Sequence, residues 1–502
     1  MIYNGKLYKR GKWINEQYIP DNEFDISRNQ SETPSQNRVF SSYPSFEEDG
    51  QKKIVCKNGS VYIGKLFQGR PHGFGTMHYF NGSQYEGEWV NGKPHLKGTY
   101  TSNKYCYQGE WKNGKLEGKG TLSFLRLESK YIGEFKNNTM HGKGVLINKD
   151  GSRYIGSFAN GKKNGIGKFY ISGIEVYYGD YLEGKRTGKG TINYTDSNIL
   201  IKYEGGLLNG ERHGKGILYY KNGIVYEGEF VHGQKKGNGQ CRFPSGSIYT
   251  GEWLTLMNGF GVLEKNDGTK YIGQWKNGKI DGMGDYYDSQ GKLMYHGENK
   301  NGKKDGYGEQ YGQGTLYKGS FSNGQFEGIG IYVHLYKGNE HENDNSIKIG
   351  QYLFGPNSKA DVYIGQFKNG KKDGEGVLYN GFGEEYSGNW KEGNKEGLGF
   401  NKFSTGDQYL GYWKKGVMEG FGIMNYKKGD IYEGYWSNNK VKGRGRYVTK
   451  RGKVKFGIWD DKKYSKNNHS LYPEQELCTF ESYTSLYKNI EAINLKYSKD
   501  KL

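Results

Sequence analysis

The sequence predicts an all-β repeat protein: an elongated, twisted, single-layer antiparallel sheet of stacked β-hairpins, with a short C-terminal helix. Three observations lead there. Of 502 residues 83 are Gly, and the rings number 46 Tyr, 23 Phe and 9 Trp, against three Ala (Ala159, Ala360, Ala492). Interior Gly costs a helix about 1 kcal/mol per position, so the chain is not mainly helical. With only 8 Pro and no Gly-X-Y period it is not collagen, and so many large rings argue against disorder. The third observation is an internal period of mostly 23 residues.

The first half of each unit reads Tyr-x-Gly-x-aromatic, as in Tyr85-Glu-Gly87-Glu-Trp89, Tyr131-Ile-Gly133-Glu-Phe135 and Tyr432-Glu-Gly434-Tyr-Trp436. Its Tyr recurs at 62, 85, 107, 131, 154, 177, 203, 226, 249, 271, 295, 317, 363, 386, 409 and 432. That makes sixteen clear units. Two degenerate ones are Ile349-Gly350-Gln-Tyr352, inside the double step from 317 to 363, and Phe456-Gly457-Ile-Trp459 at the end.

The second half follows a turn such as Asn113-Gly114 and carries Gly-x-Gly, then alternating apolar residues, as in Gly73-x-Gly75-x-Met77-x-Tyr79. Strand side chains alternate between faces, so Tyr, Gly and Trp of the first strand share one face, as do the two Gly and two apolar residues of the second. Two such strands about an Asn-Gly pair form a hairpin. The glycines are expected to leave a slot in which a neighbouring unit's ring lies against the backbone. One hairpin cannot bury its rings alone; stacked hairpins can. Strand twist should coil the ribbon.

The pattern Tyr-x-Gly-x-(Trp/Phe)-x-x-Gly-x-x-x-Gly-x-Gly over residues 62 to about 459 resembles the MORN (membrane occupation and recognition nexus) repeat. The resemblance implies hairpins in an extended single-layer sheet. It also implies the settings of that family: radial-spoke heads of cilia, junctional and cortical scaffolds, and repeats ahead of plant phosphatidylinositol phosphate kinases. No kinase-like or methyltransferase-like region accompanies the repeats here. The departures are an insertion near 334–362 and loss of the turn Gly at Asn138 and Asn439.

Three regions follow. Residues 1–50 are an N-terminal extension. Its 3–13 stretch faintly echoes the repeat as a strand that could dock on the sheet, and its 27–50 stretch is Ser/Asn/Gln-rich without period, a disordered linker. Residues 51–461 hold the repeats. Residues 462–502 are a basic linker and an amphipathic helix that starts after Pro473. Leu477, Phe480, Tyr483, Leu486, Ile490, Ile493 and Tyr497 recur at helical spacing and form one face. That helix either caps the open edge of the last hairpin, the generic need of a solenoid, or binds a partner or a second copy.

Catalytic signatures are absent: there is no phosphate loop, no Gly-x-Ser-x-Gly elbow, and the Gly-x-Gly pairs belong to the repeat. His72, His141 and His213 fill a slot before Gly-x-Gly that elsewhere holds Glu117, Asp281, Asp305 or Glu396, a polar turn position rather than a ligand. Cys241 takes an apolar position occupied elsewhere by Met77 and Leu122. Glu340-His341-Glu342-Asn343-Asp344 lacks the ligand order of a calcium loop. No catalytic, cofactor or metal site is expected. The four Cys (Cys56, Cys106, Cys241, Cys478) suit neither a zinc ribbon nor a disulfide scaffold, which reads as a reducing compartment.

Net charge is +19 and is concentrated. Residues 440–466 hold eleven basic side chains against Asp460 and Asp461; Lys440, Lys442, Arg444, Arg446, Lys450, Arg451, Lys453 and Lys455 form a candidate anion or lipid patch. An edge that discourages end-to-end sheet pairing would use the same lysines. Nucleic acid is not an expected partner, because the rings are committed to packing. No apolar run is long enough for a membrane helix, and MIYNGKLYKRGKW lacks a signal core. The function expected is a non-catalytic scaffold or spacer for cytoskeletal or axonemal proteins, cytoplasmic, at a cilium or cortex; the alternative is a tether for anionic phospholipid (phosphoinositide).

Overall fold

In a computed structural model, residues 2–3, 6–7, 51–336, 360–461, 463–466 and 480–497 are described. The chain is all-β: the described residues form 35 antiparallel strands in the repeat array and one helix, α1, over Phe480–Lys496. The array is not closed: the first strand, Lys52–Val55, pairs only with Val61–Phe67, and the last, Lys463–Lys466, only with Val454–Asp460. Two compact units divide it, residues 1–235 and 236–502. Ile2–Tyr3 and Lys6–Leu7 pair with each other in a separate two-stranded sheet; the rest of the 3–13 echo lies outside the described residues. The linker expected over 27–50 lies outside the described residues.

Within each unit the hairpins repeat one plan, apart from Ile248–Leu254 with Leu256–Glu264, which turn on Thr255 alone. Tyr107–Lys112 runs into a two-residue turn and returns from Lys115, with Lys112 facing Lys115. Asn113 (φ 52) and Gly114 (φ 81) both adopt the left-handed region, the mirror-image turn whose twist matches that of strands. Two hairpins put Asn in place of the turn Gly and keep the geometry: Asn138 (φ 69) and Asn439 (φ 62) adopt it as Asn can. Asn138 Oδ1 also accepts the Leu116 N–H at 2.8 Å, and Asn439 Oδ1 that of Met418 at 2.8 Å.

One feature departs from the expected alternation. Gly109 faces Gly120, but Trp111 faces Leu116, so the returning strand carries extra residues in a bulge. The first Gly of Gly-x-Gly sits there at positive φ (63 for Gly118). It does not share the flat face of the second. Acidic or amide side chains of the outgoing strand hold the bulge: Glu134 Oε1 accepts the Lys143 N–H at 3.0 Å, and Glu298 Oε1 that of Tyr307 at 3.1 Å.

The core is a file of rings. All sixteen pattern tyrosines are 3% exposed or less. Fifteen of them lie back over the glycine pair of their own hairpin: Gly87 faces Gly98, and a Cβ on either would collide with the Tyr85 ring. The slot is thus filled from within the unit, not by the neighbouring ring expected from sequence. The neighbour instead stands edge-on. Tyr85 meets its own Trp89 at 5.0 Å and 89°, and Trp111 of the next hairpin at 5.1 Å and 83°. Such pairs add about 0.5–1.5 kcal/mol each beyond area burial. Trp111 Nε1 donates to the Gly98 carbonyl at 3.1 Å, fixing the step between hairpins.

The double step at 317–363 is resolved by direct pairing. Gln325–Leu335 pairs with Ala360–Lys368, Leu335 opposite Ala360. The degenerate unit at Ile349–Tyr352 lies outside the described residues. The last degenerate unit does form: Trp459 Nε1 donates to Gly445 O at 3.3 Å, and Val454–Asp460 pairs with Lys463–Lys466.

Candidate interaction surface

With the rings turned to one face, the middle residue of each Gly-x-Gly and those two and four beyond it occupy the other. In the hairpins of Lys97, Lys119, Lys189 and Asn238 all three are charged or polar; elsewhere the set is mixed, and it is most apolar at Ile329-x-Ile331-x-Val333, in the second unit, where α1 docks. Ile490, Ile493 and Tyr497 are buried in one cluster with Val333, Leu335, Val362, Ile364 and Val377. The helix contacts strands Lys371–Tyr379, Glu385–Lys391 and Asn394–Lys402. Lys496 Nζ reaches Glu375 at 2.9 Å, and the Ser387 hydroxyl donates to Asn494 Oδ1. A cap over the last hairpin is therefore not what α1 provides: it covers a sheet face within the array, because that is where apolar side chains replace charges. Of the expected helix face, Ile490, Ile493 and Tyr497 are brought together; Leu477 and the side chains of Phe480, Tyr483 and Leu486 lie outside what is described.

The basic residues of 440–455 do not converge on one point. Lys440, Lys442, Arg444 and Arg446 lie on strand Lys440–Val448. Lys440 is paired with Asp461 at 3.1 Å, and Arg446 Nε donates to Glu433 at 2.7 Å. Lys455 takes the place other units give to Tyr, on the ring-bearing face, 5.8 Å from the centre of Tyr464. Lys450, Arg451 and Lys453 share the exposed turn between the strands. Lys440 and Lys450 are separated by a nine-residue strand of about 30 Å.

A second basic set lies among the rings and was not singled out from sequence. Lys372 Nζ sits between Tyr363 (4.9 Å) and Trp390 (4.8 Å), and Lys395 Nζ between Tyr386 (4.7 Å) and Trp413 (4.6 Å). Burial lowers both ammonium pKa values, that of Lys395 to about 8. The signal was visible as Lys where other hairpins carry Met257 or Met418, but only the packed rings give it meaning.

The slot before Gly-x-Gly has a structural task. Glu117, Asp281, Asp305, Glu396 and Glu419 each accept the N–H of the first turn residue in the next hairpin, as Asp281 does from Asn301 at 3.1 Å. Among the described residues no three His, Cys, Asp or Glu side chains are grouped to hold a metal ion. Cys241 is buried. The Glu340–Asp344 run lies outside the described residues.

A meander of stacked hairpins with one ring-filled face and one face free for contacts defines a repeat protein of the interaction type. The chain belongs to the MORN repeat family: fourteen copies match its model, from 62–84 to 432–454, including 85–106, 226–248 and 363–381. The units at 249 and 295 are not among them. The first lacks an Asn-Gly turn and the second has Asn299 in place of the aromatic, yet both form hairpins. Among curated proteins none matches the chain. Of solved structures, the TCP domain of Drosophila melanogaster SAS-4, in complex with a proline-rich motif of Ana2, is 11% identical over 43% of this chain and 99% of its own, TM-score 0.16. A streptogramin B lyase is 12% identical over 51% of this chain and 86% of its own, TM-score 0.12. Neither likeness bears on function. No described helix is long and apolar enough to cross a membrane.

Proposed function

We propose that this protein is a non-catalytic scaffold or spacer that holds other proteins in a cytoskeletal or ciliary, radial-spoke-like assembly. One observation carries the reading: the residues that define the repeat are consumed in packing and turn formation, leaving the opposite face to make contacts, as α1 does. Its chain-long regularity suits a part that sets distances. Proximity labelling from the full chain in ciliated cells, with immunolabelling along axonemes, tests it. Enrichment of axonemal or cortical proteins supports it; a diffuse cytosolic signal with no enriched protein overturns it.

A second reading, a peripheral tether for anionic phospholipid, is favoured by the exposed Lys450-Arg451-Gly452-Lys453 turn. Basic residues near such a surface contribute about 1 kcal/mol each. Flotation with phosphoinositide vesicles but not neutral ones, lost in high salt and on changing Lys450, Arg451 and Lys453 to Gln, is the expected result of this reading.

A further inference from the structure

In the second unit, the middle residue of Gly-x-Gly is apolar in four consecutive hairpins: Phe260, Met283, Tyr307 and Ile329, exposed at 56%, 43%, 52% and 56%. All four lie on the face away from the ring file, because the next residue (Gly261, Gly284, Gly308, Gly330) carries the pattern Tyr over it. The same register position in the following hairpins is Glu375 and Leu398. Those two meet α1: the Glu375 side chain, still 40% exposed, pairs with Lys496, and Leu398 packs against the α1 cluster. Tyr311 and Ile331, on the same face beside Tyr307 and Ile329, already touch that cluster. The uncovered row is thus continuous with a row that a helix covers.

From this arrangement we infer that the row Phe260–Met283–Tyr307–Ile329 is a docking site for an amphipathic helix of a partner protein, laid across the strands, with one apolar residue per heptad and a basic border. The spacing carries it. Consecutive hairpins repeat every two strands, about 9.6 Å, while seven helical residues rise about 10.5 Å. A straight helix therefore meets each rung with one side chain per heptad, and four rungs take about 20 residues. Charge carries the rest. Glu252 and Glu298 lie beside the row, accepting the bulge N–H groups of Phe260 and Tyr307 at 3.1 Å each. Asp285 and Glu309 border its other side, facing His296 at 2.6 Å and Lys318 at 2.9 Å. A Lys or Arg on the incoming helix would meet Glu252 and Glu298 as Lys496 meets Glu375.

This inference deepens the scaffold reading by naming the chemistry of one partner, and it rests on that reading for a partner to exist; it does not depend on which assembly the protein serves. The test uses the full-length protein and a labelled 28-residue helical peptide with one Leu per heptad bordered by Lys, read by fluorescence anisotropy. A control peptide carries Glu for Lys. Saturable binding of the Lys peptide alone, weakened at least tenfold by Phe260→Ser with Ile329→Ser and unchanged by Phe74→Ser with Ile166→Ser at the same register position of the first unit, supports the site. Glu252→Gln with Glu298→Gln should weaken it at least threefold and add salt insensitivity. Unchanged binding in the Phe260/Ile329 variant, with its circular dichroism intact, overturns the proposal, as does absence of binding to the wild type. Sedimentation showing a dimer that the same variant dissolves also overturns it, since the occupant would be a second copy. In all of these the axonemal or cortical labelling stands or falls separately.

Discussion

Lys395 places its ammonium 4.6 Å from the centre of the Trp413 ring, a charge held against an aromatic core. Its Nζ also donates to Asn401 Oδ1 at 2.7 Å. Burial pushes the group down to about 8 from its ordinary 10.5. The folded chain therefore releases a proton that the unfolded chain keeps between about pH 8 and 10.5, and stability rises with pH across that window. Denaturant midpoints followed by Trp fluorescence should increase from pH 8 to pH 9.5. In the Lys395→Met, Asn401→Met variant the rise should shrink; an identical slope would remove Lys395 as its source.

The tyrosine file acts in the opposite sense at higher pH. Burial raises the Tyr62 hydroxyl to about 12 and pushes up the other pattern tyrosines named with it, Tyr85, Tyr107 and Tyr131. Unfolded tyrosines ionise near 10, so stability is complete below that value and falls as pH climbs above it. Exposed tyrosines ionise first, and a second step of tyrosinate absorbance should appear together with loss of β circular dichroism above pH 11. Ionisation of the full complement of 46 Tyr near pH 10 with unchanged dichroism would contradict the packing described.

Two glycine substitutions separate crowding from backbone strain. A Cβ at Gly98 would run into the Tyr85 ring, so Gly98→Ala should cost about 3 kcal/mol. Gly210 (φ 87) has nothing within 4 Å of a built Cβ, so Gly210→Ala should cost only about 1 kcal/mol through its conformation. Equal losses in urea denaturation would refute the ring-over-glycine arrangement.

Undocking α1 should leave the sheet intact. Ile490 is 2% exposed against the face formed by Val362 and Val377, and Ile490→Asp would bury a charge without a partner. Hydrogen exchange should accelerate throughout Phe480–Lys496 while strand amides of Lys371–Tyr379 keep their protection. Lys496→Ala removes only a half-exposed ion pair and should cost under about 1 kcal/mol.

Much of this was legible in local pattern. Tyr107-x-Gly109-x-Trp111 and Asn113-Gly114 state a strand, its buried face and its turn within eight residues, since period and turn chemistry are short-range. The bulge at Gly118 was not legible, because Gly-x-Gly reads equally as two residues on one strand face until cross-strand register is known. The seat of α1 was not legible either. Its Lys496–Glu375 and Asn494–Ser387 contacts join positions more than 100 residues apart, and a helical stripe does not name the surface that receives it. The basic cluster was visible as composition, but Lys455 falls on the ring-bearing face and Lys440 at the far end of a strand, a division set by pleat and register.

Leu335 and Ala360 meet as ladder partners although 24 residues lie between them in the chain. The sheet takes no account of that interval: its register passes from Gly330 to Gly365 as it passes between any two neighbouring hairpins. For an engineer the junction is a socket, where a reporter domain with adjacent termini could be inserted while the hairpins on either side keep their count and phase.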